Sequence, residues 1–167
     1  MFCFLYTIIA NAQELSLSSQ DSITESNIKL TELASPDQID TWLDAVVLLV
    51  NNGAWCSGAF IGSDGKIATA YHCVASGRKT AIKLRSGDLL YAETIAVDPK
   101  HDLAIIQIKD LKVEEVLPLS EERPRQGEQL YALGHPMAPL ADHKMLKGTL
   151  RWSVSTGIVS AVGERFI

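Results

Sequence analysis

Apolar positions fall in short runs broken by turn residues, and helical periodicity is absent from the middle of the chain. From residue 45 to 108 the runs predict six strands: 45–50, 57–62, 66–71, 81–85, 89–97 and 103–108. Asp64-Gly65 separates the second run from the third, and Asp-Gly between apolar runs is a strong hairpin signal because Gly accepts positive φ. Ser86-Gly87-Asp88 joins the next two strands, and Asp98-Pro99 ends a strand because Pro offers no donor to a ladder. Six short strands with closely spaced turns predict an all-β fold, an antiparallel barrel or sandwich. Ahead of them, Ser35-Pro36-Asp37-Gln38 combines a capping hydroxyl, Pro at the first helical position and Gln where a capping box needs it. A short helix ending near Asp44 is therefore expected. Past a charged, Pro-containing connector, two further strands are expected at 128–133 and 155–162.

The N-terminus changes the expected location. Phe2 to Ile9 is a short apolar core without a preceding Lys or Arg, and Ala10-Asn11-Ala12 is a cleavable A-x-A site. Residues 1–12 are read as a signal peptide, so the protein is expected to be secreted or periplasmic. Loss of Cys3 with that segment leaves two cysteines in an oxidising compartment. Residues 13–35, rich in Ser, Thr and Glu, read as a polar linker. With 47% apolar and 21% charged residues the remainder is globular, and a formal charge of −5 argues against nucleic acid as a partner. No apolar run approaches the roughly 20 residues of a membrane-spanning helix.

Candidate chemistry centres on Trp55 to Val74, WCSGAFIGSDGKIATAYHCV. It delivers His72 at the end of a strand, with Cys56 at the head of the preceding strand and Cys73 directly after the histidine. Further on, Asp102 in His101-Asp102-Leu103-Ala104-Ile105-Ile106 stands at the entrance of another apolar strand. A fixed histidine and a carboxylate at a strand entrance form two thirds of a nucleophile-activating triad. His101 reads as an exposed neighbour, His135 as a turn residue in Gly134-His135-Pro136, and His143 as a loop residue without a role. A zinc site from Cys56, His72, Cys73 and a further histidine matches no common ligand spacing. No metal and no cofactor are expected.

On these residues the chain resembles the chymotrypsin-fold serine peptidases. Thr69-Ala70-Tyr71-His72-Cys73 is similar to that family's histidine motif, and Asp102-Leu103-Ala104-Ile105-Ile106 to the motif around its aspartate. Tyr71 departs from the pattern, where a smaller or amide residue is more usual. Gly127-Glu128-Gln129-Leu130-Tyr131-Ala132-Leu133-Gly134-His135-Pro136 and Ser155-Thr156-Gly157-Ile158-Val159-Ser160-Ala161-Val162-Gly163 look like the HtrA-type branch. The resemblance implies a chymotrypsin-like architecture with the first barrel complete over 36–110, a connector over 111–127 and a partial second barrel over 128–167. It implies His72 as general base, Asp102 as the carboxylate that orients it, a polypeptide substrate, and a Cys56–Cys73 disulfide beside the histidine. Pairing across the Asp64-Gly65 hairpin would bring those cysteines within bridging distance. The nucleophile motif, a Gly-rich serine loop, is expected beyond Ile167. The other reading is a barrel kept for binding or scaffolding. A scaffold has no physical need for the His72 and Asp102 pair, which favours the enzyme. Nothing in the residues sets an oligomeric state.

Overall fold

The computed structural model describes residues 7–8, 33–51, 54–75, 77, 79–136 and 151–163. A helix, α1 (Pro36–Asp44), is followed by six strands: β2 (Val46–Asn51), β3 (Ala54–Gly62), β4 (Lys66–Ala70), β5 (Lys79–Lys83), β6 (Leu89–Asp98) and β7 (Leu103–Gln107). They close into an antiparallel barrel in the order β2-β3-β4-β7-β6-β5, with β5 returning to pair with β2. Beyond the connector, β8 (Gln129–Gly134) pairs with β9 (Ser153–Ile158) on one side and with β1 (Thr7–Ile8) on the other. The architecture is thus one closed barrel and a partial second sheet.

Local chemistry explains the element starts. The Ser35 hydroxyl accepts the Gln38 N–H at 3.2 Å, and the Gln38 side chain accepts the Ser35 N–H at 3.0 Å, completing the capping box. In the β3–β4 hairpin Gly65 takes φ +80°, the left-handed conformation that the turn requires. The expected strand at 81–85 sits two residues earlier, at Lys79–Lys83. Leu84 already belongs to the following turn, donating to the Asp88 carbonyl and accepting from Gly87. The last strand likewise starts at Ser153 rather than 155 and ends at Ile158 rather than 162.

β2 explains how the two parts meet. Its run Val46-Val47-Leu48-Leu49 is continuously apolar rather than alternating, as expected for a strand covered on both faces. Val47 and Leu49 point into the barrel with Phe60, Ile67, Ile82, Ala92 and Ile106. Val46 packs on the other side in a second cluster with Leu43, Ala59, Leu117 and Leu133, flanked by Trp42 and Trp152. That second cluster is the seam between barrel and sheet. Among the described residues no helix is long and apolar enough to cross a membrane. Thr7 and Ile8 fall inside the segment expected to be a signal peptide, and they pair with Leu133 and Ala132. The rest of that segment and nearly all of the expected linker lie outside the described residues.

Candidate active site

β4 and β7 run antiparallel with Ala70 opposite Leu103, so the chain leaves β4 beside the point where it enters β7. The ladder extends one bond further, from the Tyr71 N–H to the Asp102 carbonyl at 3.1 Å. His72 then sits on a single 3₁₀ turn, Tyr71–Cys73, rather than on the strand end itself. Asp102 occupies the turn before β7 with φ +54°, a left-handed conformation that Asp tolerates better than most residues. Two strand ends in register therefore place side chains 30 residues apart against each other.

The Asp102 carboxylate grips His72 twice. Oδ1 accepts the His72 backbone N–H at 3.0 Å, and Oδ2 lies 2.6 Å from ring Nδ1. The first contact fixes the residue and the second fixes the ring. An ionised carboxylate can only accept, so Nδ1 carries the proton and the basic lone pair falls on Nε2. The His72 backbone N–H, with the imidazole adding to it, holds the Asp102 carboxyl below its ordinary pKa. Both side chains reach solvent, at 38% and 50% exposure.

The backbone after His72 is anchored as well. Cys73 forms a disulfide with Cys56 on β3, with Cα atoms 6.2 Å apart, and both residues are buried. The buried Asn51 side chain donates to the Cys73 carbonyl at 3.2 Å. Where β3–β4 pairing ends, the Thr69 hydroxyl donates to the Ser57 carbonyl at 2.9 Å. Sequence reasoning missed Asn51, because a lone Asn at a strand end carries no motif. Ligand atoms of Cys56, His72 and Cys73 do come within 4.8 Å of one another. Both sulfurs are spent on the disulfide, which leaves no thiolate there for zinc.

His101 forms a second histidine–carboxylate pair, its Nδ1 2.6 Å from Asp98 Oδ2. Here the partners are three residues apart in one turn, and Asp98 also accepts the N–H groups of Lys100 and His101. That pair caps a loop. His135 departs from its expected place as a turn residue: it is buried in the seam, 5% exposed. Its surroundings come from residues distant in sequence, which no local motif reveals. His143 lies outside the described residues. Ser57 is buried, with its hydroxyl accepting the His135 N–H. Ser155 lies on β9, and Ser160, expected on the same strand, lies beyond its end.

The barrel thus joins a histidine and an aspartate across two strand ends, and the comparisons give the family to which such a fold belongs here. Residues 56–166 match the trypsin-like peptidase domain. The chain belongs to this trypsin-like peptidase family, and curated proteins similar to it are named as serine proteases. It is 35% identical over 113 residues to the mitochondrial serine protease HTRA2 of Bos taurus, covering 67% of this chain and 22% of that protein. It is 34% identical over 112 residues to a probable periplasmic serine endoprotease, DegP-like, of Bartonella henselae, covering 66% and 20%. A serine endoprotease structure from Yersinia pestis shares the fold with a TM-score of 0.62 at 23% identity, covering 79% of this chain and 47% of that one. The chain spans about a fifth of the length of these two curated relatives.

Proposed function

We propose that His72 and Asp102 are the general base and its orienting carboxylate in an exported serine endopeptidase. The nucleophilic serine is contributed by polypeptide outside this sequence. The observation that carries the reading is the double grip of Asp102 on His72, at 3.0 Å to the backbone and 2.6 Å to the ring. The chain's small share of its relatives' length is consistent with a nucleophile supplied elsewhere.

In this reading the serine Oγ attacks the peptide carbonyl carbon while His72 Nε2 takes the hydroxyl proton. Asp102 holds the Nδ1 tautomer and stabilises the imidazolium without itself taking the proton. The tetrahedral adduct collapses as His72 returns the proton to the leaving amine, and an acyl-enzyme remains. Water, deprotonated by the same nitrogen, then releases the second product as an acid and restores the serine. No metal or cofactor enters these steps. The oxyanion formed at the carbonyl needs preorganised N–H donors, which come with the serine loop.

Export is part of the proposal. It draws on the A-x-A site before Gln13, the disulfide, which persists in oxidising compartments, and a relative named as periplasmic. Cleavage there would remove Thr7 and Ile8 from the edge of the second sheet. N-terminal sequencing of the exported protein, expected to begin at Gln13, tests this; an intact Met1 in that fraction would overturn it. For catalysis, residues 13–167 are assayed on unfolded casein beside the full-length gene product. The long form should turn over casein and the short form should not. An inactive long form, folded and with His72 and Asp102 intact, would favour the binding-module reading. Turnover by the short form that is lost on His72→Ala would place the nucleophile inside this chain.

A further inference from the structure

His135 stands at the end of β8, takes no part in the dyad, and has each of its polar groups in a different situation. The backbone N–H donates to Ser57 Oγ on β3 at 2.8 Å. Ring Nδ1 accepts the backbone N–H of Trp152, just ahead of β9, at 3.0 Å. Nε2 is buried near the Val47 carbonyl on β2 but makes no hydrogen bond of ordinary geometry among the described residues. A backbone N–H can only donate, so Nδ1 must present its lone pair. The ring proton therefore sits on Nε2 and the imidazole is neutral, a tautomer assigned from the network. Trp152 completes the arrangement, its indole edge-on to the imidazole at 4.9 Å and its Nε1–H donating to the Val46 carbonyl at 3.3 Å. His135 and Trp152 together thus tie the barrel strands β2 and β3 to the second sheet, at the end of β8 and the start of β9.

We propose that His135 is an acid-released latch that seats the second sheet against the barrel. Protonation puts a hydrogen on Nδ1, donor against donor with the Trp152 N–H, and that bond is lost. A cation would also be left in the seam. Among the described residues the groups around it offer little compensation. β2 and β3 contribute Val46, Val47 and Ser57, none titratable, and Cys56 is held in its disulfide. β8 carries Tyr131, whose hydroxyl accepts the Ala34 N–H. The segment before β9 carries Arg151, whose positive charge opposes an imidazolium. The nearby helix α1 has Asp40 and Asp44 engaged by Arg85, and Asp37 exposed in its first turn. Burial first, and Arg151 in the same direction, outweigh the Val47 carbonyl and hold the His135 pKa down at about 4.

The barrel closes on its own hydrogen bonds around its own core, so releasing the latch frees the sheet without unfolding the barrel. This device goes beyond the proteolytic reading, and its test measures no proteolysis. The 167-residue chain, labelled with ¹⁵N-histidine, is titrated from pH 7.5 to 3.5 by NMR, with near- and far-ultraviolet circular dichroism alongside. His135 should show the Nε2–H tautomer at neutral pH and titrate within about one unit of pH 4. The near-ultraviolet signal should fall with the same midpoint while the far-ultraviolet strand signal persists. His135→Asn, whose Oδ1 can accept the Trp152 N–H but does not titrate, should abolish that transition. A His135 midpoint above about 6, near the ordinary value, or the same transition in the His135→Asn variant, would overturn the latch. Should that variant fail to fold, the midpoint and tautomer in the unaltered chain decide alone.

Discussion

Opening the Cys56–Cys73 bridge removes a cross-link between residues 17 positions apart. In the chain-entropy account, a loop of this length restricts the unfolded ensemble enough to stabilise the fold by roughly 3 kcal/mol. For a domain of this size that is a fall of roughly 6–12 °C in Tm. Reduction leaves the buried sulfurs in place and isolates the cross-link, whereas Cys56→Ala/Cys73→Ala also empties part of the core and should cost more. Urea unfolding of the oxidised, reduced and doubly substituted chains at one pH separates the two effects. The reduced protein should unfold at lower urea, with the doubly substituted protein lower still. A reduced protein within about 0.5 kcal/mol of the oxidised one would refute the entropic reasoning, because it would mean the unfolded chain already holds these residues close.

Three further outcomes are open to direct measurement. Ser35→Ala removes the acceptor for the Gln38 N–H and should destabilise the fold by about 1 kcal/mol in urea melts. Gly58→Ala places a Cβ 2.8 Å from both Ile67 Cγ2 and Leu49 Cδ1, and overpacking of this kind should cost roughly 1–3 kcal/mol, read as a lowered urea midpoint. Stability should also depend on His135: its pKa is near 6.5 when unfolded and about 4 when folded, so the unfolded state binds the proton more readily. The contribution is therefore complete above pH 6.5 and is lost as pH falls toward 4, by roughly 3 kcal/mol at about 1.4 kcal/mol per unit. Urea melts across that range should show the slope flatten in His135→Asn.

The barrel was legible because its signals are local. Asp64-Gly65, Ser86-Gly87-Asp88 and Asp98-Pro99 punctuate apolar runs whose lengths match the observed strands to within a few residues. The dyad was legible through its motifs, and register supplies the rest, since Ala70 pairs with Leu103. What escaped depends on distant residues. Asn51 reaches Cys73 across 22 residues, and His135 meets Ser57 across 78. Gly134-His135-Pro136 reads as a turn from its neighbours alone, and only the packing of sheet on barrel makes it a buried junction. The start of β9 was missed for a related reason. Trp152 adopts φ +48° and is tied to His135 and Val46, so pairing begins immediately after it.

The central claim is that Asp102 holds His72 in the tautomer that activates a serine. Asp102→Asn in the full-length protein tests it most directly, because the amide keeps the shape of the carboxylate but cannot accept from both His72 donors as an anion does. Casein turnover should fall about 10⁴-fold in kcat near neutral pH, with KM little changed. A loss smaller than about tenfold, in a variant shown to be folded, would contradict the account.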